Sequence, residues 1–293
     1  MSEPQIFIKS RDRLANQMFQ LMVAVELRRR AGCGLIVGYN LPEWGLVSPP
    51  APPPGRPMVV LREQRFDLDM AAFLLKSGIV ETVVIEGWGM RLTNFRGPEH
   101  YRELFSTKLR GASISDDELL IHIRAEDILS GWHHLYFPLP FSFYEGVIEE
   151  TGLRPVFMGQ IGEDEYSRAL FRKFSNARFL PRQSVVEDFE TIRNAAHVVL
   201  SLSSFAWLSA WLSKTAKSIH LPVAGLFAPS FDETMLVPAN DNRYRFYKMS
   251  IPDHPTRNSI DLVEWAEGEA FRGILDTNEL RNLFLFRIFG HKS

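Results

Sequence analysis

The chain is expected to be an α/β protein. Short apolar runs of strand length recur along it, and helical patterns fill most of the intervals between them. Such alternation builds parallel sheets covered on both faces. The length, 293 residues with 45% hydrophobic content, is enough for two compact domains or one large one.

In order, strands are expected at Gln5–Ile8, Gly34–Val37, Val59–Leu61 and Thr82–Ile85, then at Leu119–Ile123, Arg154–Met158, Ala177–Leu180, Val198–Leu202 and Ser218–Leu221. A helix follows the first strand, with Leu14, Met18, Leu21, Met22 and Val25 on one face. Others are expected at Glu163–Phe174 and Val185–Ala196. The Pro-rich run Ser48–Gly55 is a stiff surface loop, because proline cannot join a central strand. The polar break Gly111–Asp117 is the better domain boundary, dividing the chain into halves at 1–113 and 114–293. Each half reads as Rossmann-like, the two facing a cleft. Phe227–Ile251, rich in Pro, Asn, Asp and Tyr, reads as an irregular excursion. Asp261–Phe289 reads as helical, and its last helix is a candidate to cross back onto the first half.

Charge narrows the function classes. Lys plus Arg number 33 and Asp plus Glu 35, a formal charge of −2, which gives no support for general nucleic-acid binding. The single Cys33 excludes an internal disulfide framework and a Cys-based zinc site, and suits a reducing compartment. Met1–Gln5 has no signal-peptide character, and no run approaches the roughly 20 apolar residues of a membrane helix. The expected location is cytoplasmic. The basic, aromatic-rich Leu280–Phe289 either makes a weak membrane-surface contact or packs on the domain core.

Three stretches carry chemistry. After the apolar run Val198–Leu202, Ser203 and Ser204 open an aromatic helix. Hydroxyls and helix N–H groups at the carboxyl end of a strand suit a phosphate, although a serine pair there is also an ordinary N-cap. The strand Leu119–Ile123 delivers Arg124 to its carboxyl edge, followed by Glu126 and Asp127. Arginine clamps phosphate through a fixed fork of donors; the alternative is a surface ion pair. Near the N-terminus, Asn16 and Gln17 fall in the first turn of a helix, where an amide either caps or meets a ligand. Two metal readings are weaker. Asp67-Leu68-Asp69 has the Asp-x-Asp form, but carboxylates at a helix start also suit the dipole. His133-His134 are adjacent, so their side chains diverge, and no third ligand is evident. With Trp132 and Tyr136 they form an aromatic loop, either a stacking face for a sugar or plain packing.

Together these stretches resemble the inverting GDP-fucose-dependent fucosyltransferases, closest to the alpha-1,2 branch. That branch carries Gly-x-Leu-Gly-Asn-Gln-Met/Leu-Phe-Gln, here Asp12 to Gln20; His-x-Arg-Arg-Gly-Asp, here His122 to Asp127; and Asn-Ser-Ser/Thr-Phe-Ser-Trp-Trp-Gly-Ala-Trp-Leu, here Leu202 to Leu212. An Asp and a His before the last motif are matched by Asp188 and His197. The chain departs from the family at Asp12 and Ala15, which replace glycines, and at Ala125 and Glu126, which replace Arg and Gly. Met158-Gly159-Gln160-Ile161 stands where the family has Ser-Asp-Asp, and Gly87-Trp88-Gly89-Met90 where it has Gly-Tyr-Phe/Trp-Gln-Ser. The related protein O-fucosyltransferases keep only one Arg in the central motif.

The resemblance implies a GT-B-like fold with an acceptor-side first half and a donor-side second half. It also implies metal-independent transfer of a sugar, fucose first, from a GDP-sugar to a glycan hydroxyl in a bacterial enzyme. Arg124 would bind the β-phosphate and support the leaving group. Ser203 and Ser204 would donate to phosphate oxygens, and Phe205 would line the nucleotide pocket. Asp188 would accept from guanine, or else cap its helix or stand as an exposed carboxylate, His122 would touch the nucleotide or simply fill a strand end, and Asn16 would reach the sugar or diphosphate. No metal or other cofactor is required. The acceptor-activating base is unassigned, with Glu126 and Asp127 candidates by position. A GDP-sugar-binding protein without transfer activity, and a transferase of another GDP-activated sugar, remain as alternatives.

Overall fold

The structure is a computed structural model. It describes residues 3–9, 13–50, 54, 57–129, 135–228, 234–249, 262–269 and 271–289, without the side chains of 126–127, 262–263 and 284–289. The fold is α/β. The chain divides into two compact units, Met1–Thr107 with Asp232–Leu236, and Lys108–Phe231 with Val237–Ser293. Among the described residues no helix is long and apolar enough to cross a membrane.

The first unit runs β1 (Gln5–Ile8), α1 (Leu14–Ala31), β2 (Leu35–Val37), β3 (Asn40–Leu41), β4 (Leu46–Val47), β5 (Met58–Leu61), α2 (Leu68–Lys76) and β6 (Thr82–Ile85). Its main sheet is parallel, in the order β2-β1-β6-β5, and β3 and β4 form a short antiparallel ribbon. Helix α1 departs from the expected single apolar face. Met18, Phe19, Leu21, Met22, Val23, Ala24 and Leu27 are all buried, whereas Leu14 and Val25 are only half-buried. The helix packs on α2 as well as on the sheet, and on its far side Glu26 takes in the segment after β6.

Glu26 is completely buried. Arg96 Nε donates to it at 2.7 Å, Tyr101 Oη at 2.7 Å and Arg29 Nε at 3.0 Å. Burial alone would raise this carboxyl, but the three hydrogen bonds outweigh it and hold Glu26 below the usual range. A depressed carboxyl stabilises the fold above its ordinary pKa, and this stabilisation is lost as pH falls through the folded value. Glu26→Ala should therefore lower stability by about 2 kcal/mol at neutral pH, toward the low end for a broken buried pair because Arg96 and Arg29 keep solvent contact. Urea unfolding should show the lower midpoint, and the gap to wild type should narrow below pH 4, where the wild-type carboxyl also begins to protonate.

The second unit runs β7 (Glu118–Arg124), α3 (Glu126–Leu129), α4 (Phe141–Thr151), β8 (Arg154–Gln160), α5 (Glu165–Lys173), β9 (Arg178–Phe179), α6 (Val185–Asn194), β10 (His197–Val199), α7 (Ser204–Trp211), β11 (Ser218–Val223), β12 (Tyr244–Met249), α8 (Leu262–Glu267), β13 (Phe271–Leu275) and α9 (Thr277–Phe289). Its sheet has the order β13-β12-β11-β10-β7-β8-β9, parallel throughout except for β12 against β13. From β7 the chain builds outward through β8 to β9. It then returns to the other side of β7 and builds outward again from β10. The winding reverses between β7 and β10.

Two expectations fail here. Phe227–Ile251 is not wholly irregular, because β12 lies within it and joins the sheet. Tyr244, Phe246 and Tyr247 are buried while Arg245 and Lys248 are exposed, a short strand pattern hidden among turn-forming neighbours. Nor is Asp261–Phe289 all helix. β13 interrupts it and pairs with β12, so the apolar residues that suggested a helical face belong partly to a strand.

A chain of hydrogen bonds crosses the amino edge of this sheet. Tyr247 Oη donates to Glu150 Oε2 at 2.8 Å, and His220 Nδ1 lies 2.7 Å from that hydroxyl. Ser218 Oγ lies 2.9 Å from His220 Nε2 and 2.8 Å from His197 Nδ1. Since Tyr247 spends its proton on Glu150, His220 Nδ1 must donate to it, and the direction of each later bond follows. The chain ties α4 to β12, β11 and β10.

Candidate functional site

The site is built where β7 and β10 end. Leu119, Leu120, Ile121 and Ile123 are fully buried, as a central parallel strand requires, and the run ends at half-buried Arg124. Beside it β10 ends at Val199, and the chain passes through Leu200, Ser201 and Leu202 into α7. Ser203 is the N-cap, in extended geometry, and its Oγ accepts from the Ala206 N–H at 3.3 Å. A hydroxyl that accepts this bond still has its own proton to give. Ser204 and Phe205 open the helix, and an α-helix leaves its first N–H groups without internal acceptors. The N-cap reading of Ser203 is thus correct, and it leaves the phosphate reading open.

Arg124 is locked to this helix start. Its Nη1 donates to the Leu202 carbonyl at 3.0 Å, and its guanidinium lies over the Tyr136 ring, 4.4 Å from the centroid. Tyr136 therefore serves as a platform for Arg124. Gly131, Trp132, His133 and His134 lie outside the described residues, as do Asp12 and the side chains of Glu126 and Asp127. Ala125 is fully buried.

His122 lies behind Arg124. Its Nδ1 is 2.7 Å from Ser201 Oγ, and its ring meets Gly159 on the other side. A Cβ at Gly159 would stand 3.2 Å from His122 Nε2 and 2.3 Å from the Ile123 carbonyl oxygen, at a φ of +110°. Only glycine fits there. Burial, with help from the Arg124 charge, pushes His122 down to about 3, so the ring is neutral.

Asp188 stands in the first turn of α6, whose start is closed by a capping box of Ser184 and Glu187. Asp188 is not the cap. Burial pushes it up to about 6, and Gln183 Nε2 donates to its Oδ1 at 3.3 Å. The next residue, Phe189, meets Phe205 edge-on with ring centroids 5.6 Å apart, which sets the two helix starts side by side. His122, Arg124, Ser203, Ser204 and Phe205 are thus gathered at one carboxyl edge, with Asp188 on the neighbouring helix. Asn16 belongs to the other unit, half-buried in the first turn of α1, where its backbone N–H reaches the Arg13 carbonyl.

The Asp-x-Asp residues are otherwise engaged. Asp67 caps α2 by accepting from the Met70 N–H at 2.8 Å, and Asp69 pairs with Arg30 at 3.0 Å. Sequence reasoning missed Ser201, Gln183 and the Leu202 carbonyl. None has a motif of its own; Ser201 and the Leu202 carbonyl matter through His122 and Arg124, far away in the chain, and Gln183 through Asp188, one turn into the next helix. No protein-family model matches the chain, and no curated protein does.

The buried imidazole gives a pH test. Unfolded histidine takes up a proton below about 6.5, whereas folded His122 refuses it until about 3. Across that window the unfolded state binds more protons, so stability falls as pH falls. His122→Gln keeps a hydrogen-bonding side chain without the titration. Urea midpoints measured between pH 7.5 and 5 should decline less steeply in the variant than in wild type.

Proposed function

We propose that the protein is an inverting glycosyltransferase that moves a sugar, fucose in first place, from a GDP-sugar to a hydroxyl of a glycan acceptor. The observation that carries this reading is the delivery of Arg124 and the α7 N-terminus by neighbouring strands at the reversal of winding. Carboxyl-edge reversals are where α/β sheets take up nucleotides. In this reading the units are the two Rossmann-like halves of a GT-B protein, cytoplasmic and bacterial, with the second unit serving the donor and the first the acceptor.

The chemistry follows from charge. The acceptor oxygen attacks the anomeric carbon opposite the diphosphate, the carbon–oxygen bond to the β-phosphate breaks, and GDP leaves with the bonding pair. Negative charge grows on the phosphate and is met by the Arg124 fork, the Ser203 and Ser204 hydroxyls and the first N–H groups of α7. Asp188 would accept from the guanine ring N–H and amino group. A carboxyl held protonated up to about pH 6 gives up that proton when two donors face it. Phe205 would line the pocket, and Asn16 would serve the sugar from the first unit. The acceptor's proton passes to a base, for which Glu126 and Asp127 are the candidates by position.

A second reading, a GDP-sugar-binding protein without transfer, is favoured by the fully buried Ala125 where the resembled branch has a second Arg. A third is transfer of another GDP-activated sugar. A panel of GDP-sugars separates them: binding without hydrolysis or transfer, acceptors included, selects the second, and turnover of a different sugar selects the third.

Calorimetric titration with GDP should show binding that weakens roughly 10- to 100-fold in Arg124→Ala, the worth of a charge-assisted hydrogen bond. Arg124→Lys should recover little, because lysine lacks the planar fork. Unchanged affinity in both variants rules out the phosphate site assigned here.

Transfer should persist in EDTA, since Arg124 and the α7 N-terminus suffice to meet the diphosphate charge. Arg124→Ala should lower turnover by about 10²–10³-fold. Loss of activity in chelator, restored by magnesium or manganese, would overturn this and return Asp67 and Asp69 to consideration.

A further inference from the structure

The second unit also carries a groove of about 690 Å³ between α4 and β13. Phe271 and Ile274 line its apolar part. Glu145, Glu149 and Glu150 of α4 and Glu269 line the rest. Two local features build it. Gly146 stands within α4, where glycine costs a helix about 1 kcal/mol against alanine. A Cβ there would come within 2.7 Å of the Phe271 ring, so glycine allows the strand to lie close. The register of β12 with β13 shifts at Lys248/Met249, leaving Arg272 as an extra residue. Side chains alternate along a strand, so the bulge turns Phe271 and Ile274, three apart, to the same side. Ile274 is 49% exposed.

β13 is the last strand of its sheet, and among the described residues it pairs only with β12. An edge of this kind offers backbone donors and acceptors to an added strand. The charge of the groove selects the partner. Lys173 Nζ already pairs with Glu145 at 2.8 Å, and this hydrogen bond, with the nearby charges of Glu267 and Glu269, holds the ammonium above its usual range. The rim stabilises a cation.

We infer that this groove docks an extended cationic segment of a partner protein, which adds a strand to β13. Its basic side chains meet Glu149 and Glu269, and an aliphatic side chain covers Ile274 and Phe271. The inference is independent of the nucleotide site.

The test is fluorescence anisotropy of a labelled alternating Lys–Val peptide titrated with the full chain. Saturable binding that weakens with added salt is expected. Glu149→Lys with Glu269→Lys should weaken it roughly tenfold or more, and Ile274→Lys alone should also weaken it. All three residues are exposed, so circular dichroism should match wild type, and Ile274→Lys serves if the double variant does not fold. The same peptide N-methylated at alternate residues should bind more weakly, because it loses donors to the strand edge. Absence of binding at low salt, or unchanged affinity in the foldable variants, overturns the proposal. So does equal binding of the N-methylated peptide, or displacement by spermine at the peptide's own affinity, because either outcome reduces the groove to a site for charge alone.

Discussion

The hydrogen bond from Arg124 to the Leu202 carbonyl is the constraint on which the rest of the site depends. It joins the end of β7 to the residue before the α7 N-cap, across the reversal of the sheet. A guanidinium at a strand end would otherwise have several rotamers open to it. Here one donor is committed to a backbone carbonyl, and the flat ion lies on Tyr136. Loss of freedom in the unliganded protein is what makes a charged donor effective, since a fixed donor needs no reorganisation as charge develops. The same bond holds Arg124 next to the residue that precedes the α7 N-cap.

Behind this pair the protein places groups that add no competing charge. His122 is two residues from Arg124, and a proton on its ring would set two positive charges side by side. Burial keeps it neutral, and its bond to Ser201 fixes the ring. Gly159 is part of the same arrangement, because a side chain there would meet both the ring and the Ile123 carbonyl. Ala125 and Gly159 look like losses when compared with the resembled family as strings of letters. In the structure one is a fully buried residue directly before α3 and the other makes room for His122. What the structure shows of these two positions is therefore steric.

The elements that carry this geometry were legible in the sequence where local pattern and tertiary role agree. Leu119–Ile123 is apolar because β7 is central and covered, and an Arg placed directly after such a run has a strand edge to occupy. Ser203-Ser204 before an aromatic run marks a helix start because hydroxyls cap and the helix is buried. Legibility failed where context overrode pattern. The single apolar face expected for α1 gave way to burial of most of its circumference, because Glu26 brings polar partners to what would otherwise be the outer side. β12 and β13 were hidden because their alternation is short and interrupted by a bulge and by turn residues. Ser201 and the Leu202 carbonyl act through residues far away in sequence, and no local signal marks them.

The two edges of the large sheet differ in how they satisfy polar groups. At the amino edge, Glu150, Tyr247, His220, Ser218 and His197 form one hydrogen-bonded chain that ties a helix to three strands. Burial pushes His220 down to about 3, so that chain is neutral at its centre and internally matched. The carboxyl edge gathers donors instead. A helix start has N–H groups that its own backbone cannot use, the Ser203 hydroxyl accepts from the helix and keeps a proton to give, and a fixed cation stands beside them. The reversal between β7 and β10 thus brings a cation, a hydroxyl and a helix N-terminus to one part of the carboxyl edge, which is the arrangement the proposed phosphate site uses. The raised carboxyl of Asp188 lies on the neighbouring helix, whose Phe189 packs on Phe205 of α7, and in the proposed reading it would meet the base of the nucleotide.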